Sequence, residues 1–191
     1  MRRIVLYIAH SLDGFIAGED GDLSWLPAGD SGGDPSQEPA SDPDRASAAD
    51  FGYAAFVAGV DTVLMGHTTY RFVQAHPPYP YAGTDGIVWS RQRAGQRDGH
   101  VRFTDEPVTE VVRRLRDTPG RDVFVVGGRA VIHPLVEADL IDDYRLFVVP
   151  VRLGRGVPLW PATGARGPLR LLGVQVHAQG LVELRYAGGS R

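Results

Sequence analysis

Asp122-Val123-Phe124-Val125-Val126-Gly127-Gly128-Arg129-Ala130-Val131 reads as a buried strand that passes through two glycines into a helix. Four consecutive β-branched or aromatic residues suit a strand covered on both faces. Glycine lacks a Cβ, so the pair permits a tight turn at positive φ and a close approach of a ligand to the backbone. The unpaired N–H groups of a helix start, at the positive end of the helix dipole, favour a phosphate by roughly 0.3–1 kcal/mol per anionic contact. The same glycines serve a plain turn equally well, so the stretch predicts a strand–helix unit and leaves the anion site open.

Upstream, Thr104 reads as the cap of a helix with Asp105, Glu106 and Pro107 in its first turn. That helix has a Val108, Val111, Val112 and Leu115 stripe and Arg113, Arg114 and Arg116 at a solvated, dipole-compensating end. Gly86–Ser90 and Val101–Phe103 read as short strands. Further back, Asp61-Thr62-Val63-Leu64-Met65 is another buried strand, ending at Gly66, where His67-Thr68-Thr69-Tyr70 opens a short helix that Pro77-Pro78 stops. This is a second strand–glycine–helix junction, with hydroxyl donors at its mouth. Ser47-Ala48-Ala49-Asp50 resembles a capping box for a helix through Phe51 to Ala58, closed by Gly59. Arg3–Ala9 is a first strand, and Ser11–Ala17 is read either as a surface hairpin or as a functional loop.

Downstream, Arg129–Ala138 should be helical, with a kink or broken turn at Pro134, which lacks an N–H. Asp143–Val151 is a further strand, Leu153–Trp160 a loop, and Leu169–His177 with Leu181–Tyr186 a long antiparallel hairpin. Strands and helices alternate until that hairpin, which predicts an α/β fold with a mainly parallel sheet and an antiparallel C-terminal edge.

At 191 residues the chain suits one domain, residues 1–191, with a polar Gly/Pro/Ser/Asp-rich insertion at about 28–45. The net charge of −3, without a basic block, carries no electrostatic footprint for nucleic acid. All twenty basic residues are arginine, a compositional bias that lowers the weight of any single one. The absence of cysteine excludes disulfides and thiolate metal sites. His67 and His76 lack carboxylates at ligand spacing, so no metal is expected. No stretch approaches a membrane span and the start does not read as a signal peptide, which leads to an expectation of a cytoplasmic protein with no membrane partner.

Four blocks in order, Ser11–Ala17, Val63–Tyr70, Val125–Gly128 and Val149–Trp160, together with the terminal hairpin, resemble the dihydrofolate reductase-like fold family. The likeness is closest to its riboflavin-biosynthesis reductase branch, relatives of the C-terminal domain of the bifunctional deaminase-reductase. The resemblance implies a three-layer fold and an NADPH-dependent oxidoreductase, with NADH possible as cofactor. Hydride would pass to a pyrimidine- or pterin-like small molecule, as in 5-amino-6-(5-phosphoribosylamino)uracil reductase. Dihydrofolate reductase activity, or a nucleotide-binding module without catalysis, are the alternatives, and the branch implies a homodimer through the hairpin.

Carried over residue by residue, Ala9 and Ile16 flank the nicotinamide, while Gly66, Thr68 and Thr69 at one helix start and Gly127, Gly128 and Arg129 at the other hold phosphate. Ser90 and Arg91 fall at the adenosine end, and Trp25 at the mouth on the substrate side. Asp50, sixteen residues before Gly66, matches the folate-reductase carboxylate that binds substrate and assists protonation, though it has its helix-capping role as an alternative. His67 stands where the family pairs an arginine with the 2′-phosphate, and Val149 where folate reductases use threonine. The zinc motif of the deaminase half is missing.

Overall fold

The computed structural model describes residues 1–27, 52–163, 167–177 and 180–189. Eleven strands and four helices are found among them. In chain order they are β1 (Ile4–Ser11), β2 (Phe15–Ala17), α1 (Tyr53–Ala58), β3 (Val60–Gly66), α2 (His67–Gln74), β4 (Asp85–Trp89), β5 (Arg97–Asp98), β6 (Val101–Thr104) and α3 (Val108–Arg116). They continue with β7 (Asp122–Gly127), α4 (Arg129–Glu137), β8 (Asp143–Val149), β9 (Val157–Pro158), β10 (Arg170–Val176) and β11 (Val182–Ala187).

Nine strands form one sheet in the order β10-β11-β8-β1-β7-β3-β4-β6-β5. The six from β8 to β6 run parallel, and the pairs β8–β11, β10–β11 and β5–β6 are antiparallel. The expected α/β architecture with an antiparallel C-terminal hairpin is therefore present. Its buried strands read as continuous apolar runs because helices cover both faces. Period-two alternation sorts them: Leu6, Leu64, Ile87 and Val125 pack under Val111 and Val112 of α3 and Ile132 and Leu135 of α4. Val5, Val63, Met65, Val88 and Phe124 face the other way, against Phe56 of α1 and Tyr70 and Val73 of α2. The core thus lies in two layers on either side of the central strands.

Several expectations need correction. Ser11–Ala17 is no self-contained hairpin: β2 pairs with β9, 140 residues away, in a separate two-stranded sheet. Ser11 Oγ donates to Asp13 (2.6 Å), whose carboxylate also accepts the N–H groups of Leu153 (3.1 Å) and Gly154 (2.7 Å). This bonding holds Asp13 at a pKa of about 2, led by the Ser11 hydroxyl. A polar loop side chain therefore ties two distant loops together, which local turn chemistry does not foretell.

Thr104 is the last residue of β6 and not a helix cap; its Oγ1 accepts from Glu106 N (3.1 Å), and Pro107 precedes the first helical residue. Arg116 is no solvated end residue, since it bonds Asp142 (2.8 Å) and the Leu140 carbonyl (2.9 Å). Helix α4 runs uninterrupted through Pro134. Strand β8 ends at Val149, and the two-residue β5 was not expected at all. The Ser47–Asp50 cap, Asp50 itself and the 28–45 insertion lie outside the described residues.

Candidate active-site cleft

Parallel strands place their C-terminal ends, and the helix starts that follow them, along one edge of a sheet. Here β3 and β7 are neighbours, so Gly66–α2 and Gly127–α4 emerge side by side. A Cβ added to Gly66 would lie 3.9 Å from the Gly128 nitrogen, and one added to Gly128 would lie 3.3 Å from Thr69 Oγ1. Gly127 has φ +135°, a conformation that L side chains rarely adopt. Glycine therefore does two things here: at Gly127 it permits the turn, and at Gly128 it lets the two helix starts approach closely.

Above the junctions a cleft of about 1280 Å³ opens. Among the residues singled out from sequence, Ala9, Ile16, Gly66, His67, Thr68, Thr69, Gly127, Gly128 and Arg129 all line it. Three others fall beside it. Trp25 packs against Phe147, Val149 and Leu181, with its indole N–H on the Asp22 carbonyl (3.1 Å), while neighbouring Leu23, Leu26 and Pro27 form the wall. Ser90 is buried, its hydroxyl accepting from Arg93 N (3.3 Å), and the Arg91 guanidinium lies 5.5 Å from the Trp89 ring centroid. Of that group only Trp89 reaches the cleft. His67 meets Phe103 edge-on at 6.3 Å.

The opposite half of the cleft was not legible in the sequence. Its floor is aromatic: Tyr7 from β1, Tyr53 from α1, Phe124 from β7, Phe147 from β8, and Tyr81 from the turn before β4. Tyr7 stands 4.5 Å from Phe147 and 5.5 Å from Tyr53, centroid to centroid. The hydroxyls of Tyr53 and Tyr81 are hydrogen-bonded to each other, and burial raises the pKa of both phenols, so both are protonated at neutral pH. This makes an apolar floor of rings set largely edge to face, with two neutral polar tips. The one sequence signal for it is tyrosine inside otherwise apolar runs, a residue that buries its ring and needs a partner for its hydroxyl.

The N-terminal loop forms the third wall. Ile16 and Ala17 of β2 meet Gly156 and Val157 at β9. A Cβ on Gly156 would sit 2.2 Å from the Ala17 carbonyl oxygen, so the loops close on one another only because that position is glycine. Among the described residues no group of three or more His, Cys, Asp or Glu could hold a metal ion, and no helix is long and apolar enough to cross a membrane.

Sheet order, crossing helices and terminal hairpin together define a dihydrofolate reductase-like α/β protein. The dihydrofolate reductase from Enterococcus faecalis, complexed with NADP(H) and RAB-propyl, superposes with a TM-score of 0.64 at 15% identity, covering 98% of this chain and 97% of that one. The family model described as the RibD C-terminal domain matches residues 2–182, and the chain belongs to that family, a riboflavin-pathway reductase family. The uncharacterized protein YwjB of Bacillus subtilis (strain 168) is 34% identical over 186 residues, 97% of each chain. A Thermotoga maritima diaminohydroxyphosphoribosylaminopyrimidine deaminase/5-amino-6-(5-phosphoribosylamino)uracil reductase superposes with a TM-score of 0.68 at 16% identity, over 98% of this chain and 57% of that one.

Proposed function

We propose that the protein is an NAD(P)H-dependent reductase that delivers hydride to a pyrimidine- or pterin-like small molecule; its Thermotoga structural neighbour is named as a 5-amino-6-(5-phosphoribosylamino)uracil reductase. The observation that carries this reading is the close approach of two helix starts at Gly66 and Gly128, where a Cβ on Gly128 would crowd Thr69 Oγ1 at 3.3 Å. A dinucleotide diphosphate is held by N–H groups at paired helix starts of this kind, and the residues present fit it.

In this reading Gly66, Thr68, Thr69, Gly127, Gly128 and Arg129 hold the diphosphate, and His67, Ser90 and Arg91 serve the adenosine end. When bound, the nicotinamide supplies the hydride. The chain orients that ring between Ala9 and Ile16 and excludes water with the β2–β9 wall. The aromatic floor stacks a flat heterocycle, and the Tyr53–Tyr81 pair offers it neutral hydrogen-bonding tips. Trp25 stays part of the substrate wall through the cluster it packs on. Asp50 is assigned on its sequence spacing as the carboxylate that binds substrate and assists protonation. A homodimer through the hairpin is part of the proposal, supported by the exposed Leu171, Leu172, Val174 and Val176 on edge strand β10.

Titrating the pure protein with NADPH and NADH while following nicotinamide fluorescence tests the core of the proposal. Saturable enhancement by either is expected, and no binding at millimolar cofactor would defeat it. With binding established, turnover of a reducible pyrimidine or pterin that disappears in Asp50→Asn, at unchanged cofactor affinity, assigns the acid. Light scattering at micromolar concentration reads the dimer directly.

A further inference from the structure

A second cavity, of about 340 Å³, lies at the other end of the sheet, at the starts of β3 and β4 and beneath the C-terminal end of α3. Thr62 lines this cavity and Gly66 lines the cleft, so four residues of β3, roughly 13 Å of strand, separate the two. Its ionisable lining is Arg2, Asp85, Arg97, His100 and Arg102. Arg2 is already committed: it pairs with Asp61 and donates to Thr62 Oγ1 (2.6 Å) and the Arg121 carbonyl (2.7 Å).

The other two arginines are placed differently. Arg97 and Arg102 stand directly opposite one another in the β5–β6 pair, and like charges in that position repel. Arg102 is half-buried; desolvation, with Arg114 and Arg97 adding to it, holds its guanidinium below the usual pKa. The nearby carboxylate of Glu106 is taken up bidentately by Arg114 (2.6 and 2.7 Å). Asp98, beside Arg97, accepts instead from Tyr70 (2.7 Å).

Against these cations stand Asp85 and the carbonyl end of α3, where Thr118 already donates its hydroxyl to the Leu115 carbonyl (2.8 Å). Among the described residues, with Arg2 and Asp61 cancelling, Arg97 and Arg102 against Asp85 leave a net positive cavity. Ile87 and Leu115 give it an apolar side.

We propose that this cavity binds a phosphate-bearing dianion between Arg97 and Arg102, with His100 at the rim and room beside Ile87 and Leu115 for a small organic group. A dianion there turns a repulsive cross-strand pair into two charge-assisted hydrogen bonds. Nothing in this proposal depends on what occupies the large cleft.

Isothermal titration of the full chain at low ionic strength, with inorganic phosphate and with phenyl phosphate, tests it. A saturable site that both Arg97→Gln and Arg102→Gln weaken at least about tenfold, the scale of a lost hydrogen bond to a charged group, is expected with the large cleft filled by saturating NADPH. Tighter binding of phenyl phosphate identifies an ester as the ligand, and equal binding identifies free phosphate. Affinity for NADPH should be the same in wild type and both variants. Absence of a saturable site, or an affinity that neither substitution changes, overturns the proposal, the latter by placing the anion elsewhere. In phosphate-free buffer both variants should melt no lower than wild type, because a repulsion has been removed; a lower melting temperature would assign the arginines to the fold and likewise overturn it.

Discussion

The two halves of the cleft are built by different means. On one side the main chain does the work: Gly66, Gly127 and Gly128 present helix starts whose N–H groups are fixed by the sheet beneath them. On the other side the surface is made of side chains, Tyr7, Tyr53, Tyr81, Phe124 and Phe147, which arrive from five separate places in the chain. A backbone site is constrained at Gly127, whose φ of +135° disfavours a side chain, and at Gly128, where a Cβ would crowd Thr69, and is indifferent to most neighbouring side chains. A side-chain site can be retuned one ring at a time, so under the proposed function cofactor handling and substrate choice would vary independently.

Gly127→Ala should have the largest effect. At φ +135° an added Cβ costs about 1–3 kcal/mol, which for a chain of this size lowers the melting temperature by roughly 2–4 °C per kcal/mol. It also displaces the α4 start, so NADPH affinity should fall more than about tenfold, as read by nicotinamide fluorescence. Unchanged affinity would break the distinction between the halves. Tyr81→Phe is the counterpart on the aromatic side. It removes the hydroxyl that bonds Tyr53, and stability should drop by about 0.5–1.5 kcal/mol in urea unfolding while cofactor affinity stays within about twofold. A large loss of cofactor binding would show that the halves are coupled.

The smallest effect belongs to Asp13, which joins the loops of the third wall. Its pKa is lowered from 3.8 to about 2, so the charged form is favoured by folding, and its contribution is complete above pH 4 and lost as pH falls towards 2. Asp13→Asn should therefore flatten that acid limb of the stability curve, measured by melting temperature between pH 5 and 2. A curve parallel to wild type would remove Asp13 from the wall.

This contrast also explains what could be read from sequence. Val63–Tyr70 and Val125–Arg129 carry their information locally: an apolar run, then glycine, then a helix start, all within ten residues. The same holds for the terminal hairpin, where alternation and a Gln-Gly turn suffice. The aromatic floor has no such local signature, because Tyr7 and Phe147 become neighbours only through strand order. Thr104 misled because Thr followed by Asp-Glu-Pro has the chemistry of a cap, while the parallel pairing of Thr104 with Trp89 extends the strand over it. Arg116 looked like a charge at a helix end, but Asp142 reaches it from the far side of α4. Tertiary partners of this kind outweigh local preference.

Strand β1 lies between β7 and β8, pairing Ile4–Leu6 with Val123–Val125 and Val5–Ser11 with Asp143–Val149. Both of its neighbours are thus synthesised more than a hundred residues after it. During translation this apolar strand has neither of its neighbours to join until more than a hundred further residues have followed, so its pairing closes some of the longest loops among the described strands. Growing chains with a delayed, non-local closure of this kind expose an unpaired apolar segment for longest, and chaperone binding to nascent chains should concentrate on residues 4–9.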